Sequence, residues 1–223
     1  MPLVSSMRLL RSAFRLPLLS LLASLPLVPA VGFAQDDLRS TFPGRRVGGG
    51  TRGECSSRLL VHLVPESSVY APNSTLQIGL LEGPTATPQS LELQFRPISG
   101  SRSLETSGLN HTSNDLPASM AGITLIRLEA LHVPTVWESS YYCGDGDTTS
   151  SDPLAFVQTS SPPAVSLLVS DSEPGDLRIQ KALANLRMHC GGSVSSETFA
   201  NAFGLGDVID SAWPAELPVR CPF

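Results

Sequence analysis

The sequence predicts a mainly β protein: an antiparallel β-sandwich, immunoglobulin-like by geometry, with a short α-helical appendage at its C-terminal end. Two observations predict it. Between residues 59 and 169 short apolar runs alternate with polar positions and are separated by Pro, Gly, Ser and Asn, which is the pattern of about six or seven half-buried strands. After Pro174 the periodicity switches to the i, i+3, i+4 spacing of an amphipathic helix.

The elements follow in chain order. Arg8, Arg11 and Arg15 precede an apolar run from Leu16 to Val28 and the small-residue step Gly32-Phe33-Ala34, with no acid before Gln35-Asp36-Asp37. Residues 1–34 are therefore expected to be a secretory signal peptide cleaved after Ala34. Pro17, Pro26 and Pro29 interrupt the run, and it falls short of the ~20 apolar residues a membrane-spanning helix needs. Residues 35–54, rich in Gly and Arg, read as a flexible arm. Residues 55–170 then form the sandwich domain. Its strands are centred on residues 59–65, on Leu76, Ile78 and Leu80, on Leu91, Leu93 and Phe95, on Ile123 and Leu125, on 137–143 and on 164–169. The polar stretch 99–121 reads as a long loop or irregular hairpin, and 144–153 as a turn-rich connection. Residues 171–223 form the helical C-terminal region: a helix over 173–189, a second over 196–203 with Ser196 as N-cap and Gly204 as its stop, and a turn over 207–213. Pro214, Pro218 and Pro222 keep the last residues extended.

Charge and cysteine usage bound the function. Of 223 residues, 189 follow Ala34, and without the three leader arginines the net charge passes from -5 to -8. An acidic chain argues against nucleic acid as a partner, and no later segment is long and apolar enough for a stable membrane span. Cys55, Cys143, Cys190 and Cys221 are an even set in an exported chain, so two disulfides are expected, with three connectivities open. Pairing Cys55 with Cys143 brackets the strand-rich part, and pairing Cys190 with Cys221 brackets the helical tail; this is the favoured arrangement. His189 stands beside Cys190, but no Cys-x-x-Cys or His-x-x-x-His spacing supports zinc, and no cofactor is implied.

The block Pro43-Gly44-Arg45-Arg46-Val47-Gly48-Gly49-Gly50-Thr51-Arg52-Gly53-Glu54-Cys55, running into a strand that ends in Val64-Pro65, resembles the opening of a group of secreted cyanobacterial proteins known only as domain of unknown function 928. Trp137 to Cys143 is similar to that family's aromatic strand closing on a cysteine, and Leu183-Ala184-Asn185-Leu186-Arg187 looks like its Leu-Ala-x-Leu-Arg helix. The resemblance implies export, a β-sandwich and a C-terminal helix; it implies no catalytic residues. Departures are the weaker segment at residues 74–79 and the extra Cys190 and Cys221. Separately, Glu138-Ser139-Ser140-Tyr141-Tyr142-Cys143 resembles an immunoglobulin strand with a tyrosine two positions before the cysteine, although no tryptophan follows Cys55 at a strand's distance.

Candidate chemistry is sparse. Arg45, Arg46 and Arg52 beside the glycines could bind carboxylates or sulfates, yet the block lacks the Lys-Ser/Thr of a phosphate loop. Asp145, Asp147 and Asp152 are a weak calcium candidate without the spacing of an EF-hand loop. No Gly-x-Ser-x-Gly elbow occurs, and His62 reads as a strand residue facing solvent or held by a partner. Glu66, Glu82, Glu92, Glu105, Glu129 and Glu138 could supply a glycosidase-like acid pair. The expected function is a non-enzymatic envelope or extracellular binding module whose partner is an envelope protein or polysaccharide. The alternative is an exported carboxylate-dependent hydrolase acting on cell-surface polysaccharide. A third reading, docking through the C-terminal helices, requires an exposed apolar face around Leu183, Leu186 and Phe203.

Overall fold

Alternation of apolar and polar side chains builds β5 (Leu91–Pro97) and β8 (Thr135–Tyr141), each burying every second residue at its start or along its whole length. They lie side by side in a computed structural model that describes residues 35–49, 58–98, 112–141 and 162–222. With β3 (Val69–Tyr70), β9 (Ala164–Leu168) and β6 (Thr112–Leu116) they form a five-stranded sheet in the order β3-β9-β8-β5-β6. The facing sheet has six strands: β1 (Val47–Gly48), β2 (Leu60–His62), β4 (Gln77–Glu82), β7 (Gly122–Arg127), β11 (Glu216–Arg220) and β10 (Ser193–Ser195), in the order β1-β2-β4-β7-β11-β10. Leu60, Leu80, Leu93, Ile123 and Trp137 fill the interior.

The protein is mainly β with two packed sheets and short helices, but both sheets are mixed rather than antiparallel. β11 runs parallel to β7, with Val219 opposite Ile123, and β3 runs parallel to β9. The C-terminal region is likewise no helical appendage. α2 (Pro174–Arg187) and α3 (Ser196–Phe203) leave the sheet, and the chain returns as β10 and β11 to widen it. Pro218, which cannot donate to a ladder, is tolerated because the pairing with β7 begins only at Val219.

The segment expected to be an arm also differs over its described part. Residues 35–49 form α1 (Gln35–Thr41) and β1. Leu38 and Phe42 pack against Val69, Ala71 and Leu167, and Val47 packs on the main core. The stretch around β1 bonds to both sheets: β1 pairs with β2, while Arg45, two residues before it, exchanges backbone hydrogen bonds of 2.8 and 2.7 Å with Val165 of β9. Gly48 makes this crossing feasible, since a Cβ there would lie 2.4 Å from the Ala164 backbone nitrogen. Of the polar stretch 99–121, residues 112–116 are β6, paired with β5. In α3 the cap is Ser195, one residue before the expected Ser196.

β4 is buried on both faces because α2 covers it. Gly79 provides the room: a Cβ there would fall 2.8 Å from Leu183 Cδ2 and 2.8 Å from Leu63 Cδ1. A disulfide joins Cys190, just after α2, to Cys221, just after β11.

Candidate functional site

α2 begins where Glu173 and Asp176 cap one another's backbone in a reciprocal box, with Pro174 at the first helical position. Asp176 is fully buried, and Arg39 of α1 closes on it at 2.8 Å while also donating to the Asp171 carbonyl. One stripe of α2, Ile179, Leu183 and Leu186, is buried. α3 packs nearby through Phe199 and Phe203, whose ring centroids are 4.9 Å apart, and Gly204 ends it in the left-handed conformation.

Between the two helices lies a groove of about 420 Å³. Ala182, Leu186, Val194, Phe199 and Phe203 make its floor; Arg178, Lys181 and His189 stand on its rim with Asn185, Asn201 and Thr198. The lining contains no acid, although the whole chain is acidic. Lys181 is the sole lysine of the sequence. Such a surface attracts an anionic group to its edge and accepts an apolar side chain on its floor.

The arginine block serves this site indirectly. Arg46 Nη1 reaches the Val64 carbonyl at 3.2 Å and the Phe203 carbonyl at 3.5 Å, and Nη2 reaches the Gly204 carbonyl at 3.3 Å. A cation over those last carbonyls steadies the C-terminal end of α3, one wall of the groove. Arg45 is exposed, with its backbone engaged by β9. Arg52, Asp145, Asp147, Asp152, Glu105, Cys55 and Cys143 lie outside the described residues. Leu183, Leu186 and Phe203, the apolar face required for docking by the C-terminal helices, are instead buried, because α2 turns its apolar stripe onto β4 and α3 turns its own inward.

The remaining candidate groups are fixed within the fold. His62 is fully buried between the sheets, stacked on Trp137 with centroids 3.5 Å apart and planes 5° from parallel. Its Nδ1 is 2.8 Å from Ser166 Oγ and its Nε2 2.9 Å from Ser139 Oγ, so this strand residue is held by partners and pins the sheets together. Burial pushes its pKa well below the ordinary imidazole value. Glu82 is gripped by Arg58 at 3.1 Å and Arg220 at 3.0 Å. Arg58 also lies over the Tyr141 ring, 5.0 Å from its centroid, and burial is the main cause that drives the Tyr141 hydroxyl far above its usual range. That hydroxyl donates to the Leu59 carbonyl at 3.2 Å, 82 residues away in sequence rather than a few residues upstream as in an immunoglobulin corner. Glu138 pairs with Arg96, and Glu92 accepts from Gln94.

Sequence inspection singled out the arginine block and passed over the groove rim. The signal was present as Arg178, Lys181, Asn185 and His189, a polar stripe repeating at three to four residues beside the apolar one. Comparison with family models, with curated proteins and with solved structures finds no match to this chain.

Proposed function

We propose that this protein is a non-enzymatic binding module of the envelope or extracellular space, and that the groove between α2 and α3 takes an acidic segment of a partner protein. The observation that carries the reading is the apolar floor ringed by Arg178, Lys181 and His189 without a compensating acid. A polysaccharide is the less favoured partner, since sugar recognition uses open aromatic faces and Phe199 and Phe203 are each only 2% exposed. The leader-like residues 1–34, the Cys190–Cys221 disulfide and the resemblance of the opening to a secreted family support export. The immunoglobulin-like reading of the sandwich rests on the β8 sequence alone.

The hydrolase alternative needs two carboxylates converging on a cleft. The groove has no carboxylate in its lining, and a second cavity has one, that of Glu82, which is already held by two arginines. Carbodiimide coupling in the native host tests the proposal, because Lys181 offers the chain's one side-chain amine. An adduct should join Lys181 to an acidic residue of a reproducible partner, vanish in Lys181→Arg, and be matched by lost retention of that partner on Arg178→Glu/Lys181→Glu. Retention unchanged by that charge reversal would overturn the groove as the site.

A further inference from the structure

We infer that the cavity beside Glu82 and Arg220 is a second site, independent of the groove, for a small organic anion consisting of a carboxylate on an apolar body. The cavity measures about 460 Å³ and lies where β4, β7 and β11 meet the disulfide. At its polar end Glu82 Oε2 accepts from Arg220 Nη2 at 3.0 Å and from Ser119 Oγ at 2.7 Å, while Oε1 faces Arg58 Nη1 at 3.1 Å.

The charge count decides the sign of the ligand. Glu82 is enclosed, with its side chain 3% exposed, and Arg58, 4% exposed, answers its charge from within the protein. Arg58 and Arg220 together outnumber Glu82 by one positive charge, and of the two cations only Arg220, 32% exposed and bonded to Glu82, lines the cavity. Its Nε is spent on Thr124 Oγ1 and its Nη2 on Glu82 and the Met120 carbonyl; Nη1 has no hydrogen-bond partner among the described residues. A guanidinium with donor capacity remaining selects a carboxylate over a neutral or cationic group.

The walls decide the rest of the ligand. Leu116, Pro117, Val219, Pro222 and the Cys190–Cys221 bridge are apolar, and the volume falls in the range of sites that enclose a whole small molecule rather than an inorganic ion. The disulfide fixes one wall by tying the chain next to Arg220 to the end of α2.

Calorimetric titration of the full chain with octanoate, octanol and octylammonium at neutral pH tests the site. Octanoate should bind saturably at one site, and octylammonium should not bind. Arg220→Gln should weaken octanoate by about tenfold or more, Pro117→Trp should abolish binding by filling the mouth, and Arg178→Glu/Lys181→Glu should leave it unchanged. Absence of saturable octanoate binding to folded protein would overturn the inference. So would equal binding of octanol, or a loss confined to the groove variant. If Arg220→Gln lacks a cooperative thermal transition, Pro117→Trp decides alone, and persistent binding in it refutes the site.

Discussion

His62 offers a pH experiment with a calculable size. The ring is enclosed between the sheets, both nitrogens are engaged by serine hydroxyls, and burial holds its pKa well below the ordinary value of about 6.5. As pH falls through that value the unfolded chain takes up a proton at this ring while the native ring stays neutral, so acid favours unfolding. The stabilisation is complete above about pH 7 and drains away below 6.5 at up to about 1.4 kcal/mol per pH unit, until the native pKa is reached. By pH 5 the loss reaches at most about 2 kcal/mol, a sizeable share of the ~5–15 kcal/mol typical of a domain. Urea unfolding at pH 7.5, 6.5, 5.5 and 5.0 measures it, with His62→Gln as the control that keeps hydrogen-bonding capacity but cannot titrate. Wild type should lose more stability than the variant over that interval, by up to about 2 kcal/mol. Parallel stability profiles would show that the ring is protonated in the native state or reached by water, and the reasoning would fail.

Two further outcomes follow from the packing. Replacing Cys190 and Cys221 by Ser opens a loop of sequence separation 31 and should cost about 3–4 kcal/mol in the chain-entropy account, read as a lowered urea midpoint relative to the oxidised protein. Gly79→Ala should destabilise by about 1–3 kcal/mol, since its methyl would meet Leu183 and Leu63 at 2.8 Å; an unchanged melting temperature would mean that α2 does not bear on β4 there.

Local patterns were legible where the periodicity is local. The alternation at Leu91, Leu93 and Phe95 gave β5, and the helical spacing after Pro174 gave α2 nearly to the residue. The strands that escaped notice are those whose existence depends on distant partners. β1 is two residues long and is held by β2 and by the Arg45 bridge to β9 just before it, and β11 contains a proline that local rules exclude from a sheet interior. Strand direction is equally nonlocal, so mixed sheets could not be told from antiparallel ones. The same limit applied to the sites. Arg46 was conspicuous in sequence, yet its guanidinium is committed to the end of α3, 157 residues on. The groove rim was visible on one face of α2, but its opposite wall comes from α3, and no spacing rule says that the two meet. Glu82, Arg58 and Arg220 come together only through sheet register.

The position of β11 also sets the order in which the molecule can be completed. It lies between β7 and β10, inside the six-stranded sheet rather than at its margin. Until residues 216–220 have left the ribosome, β10 has no ladder to join, Glu82 lacks Arg220, and Cys190 lacks Cys221. The chain as far as residue 220 must therefore be synthesised before the larger sheet can close, and its pairings span long sequence separations, which makes closure slow. A polypeptide that stays open for so long leaves the β7 edge that β11 will cover unpaired and open to wrong partners until the last strand arrives.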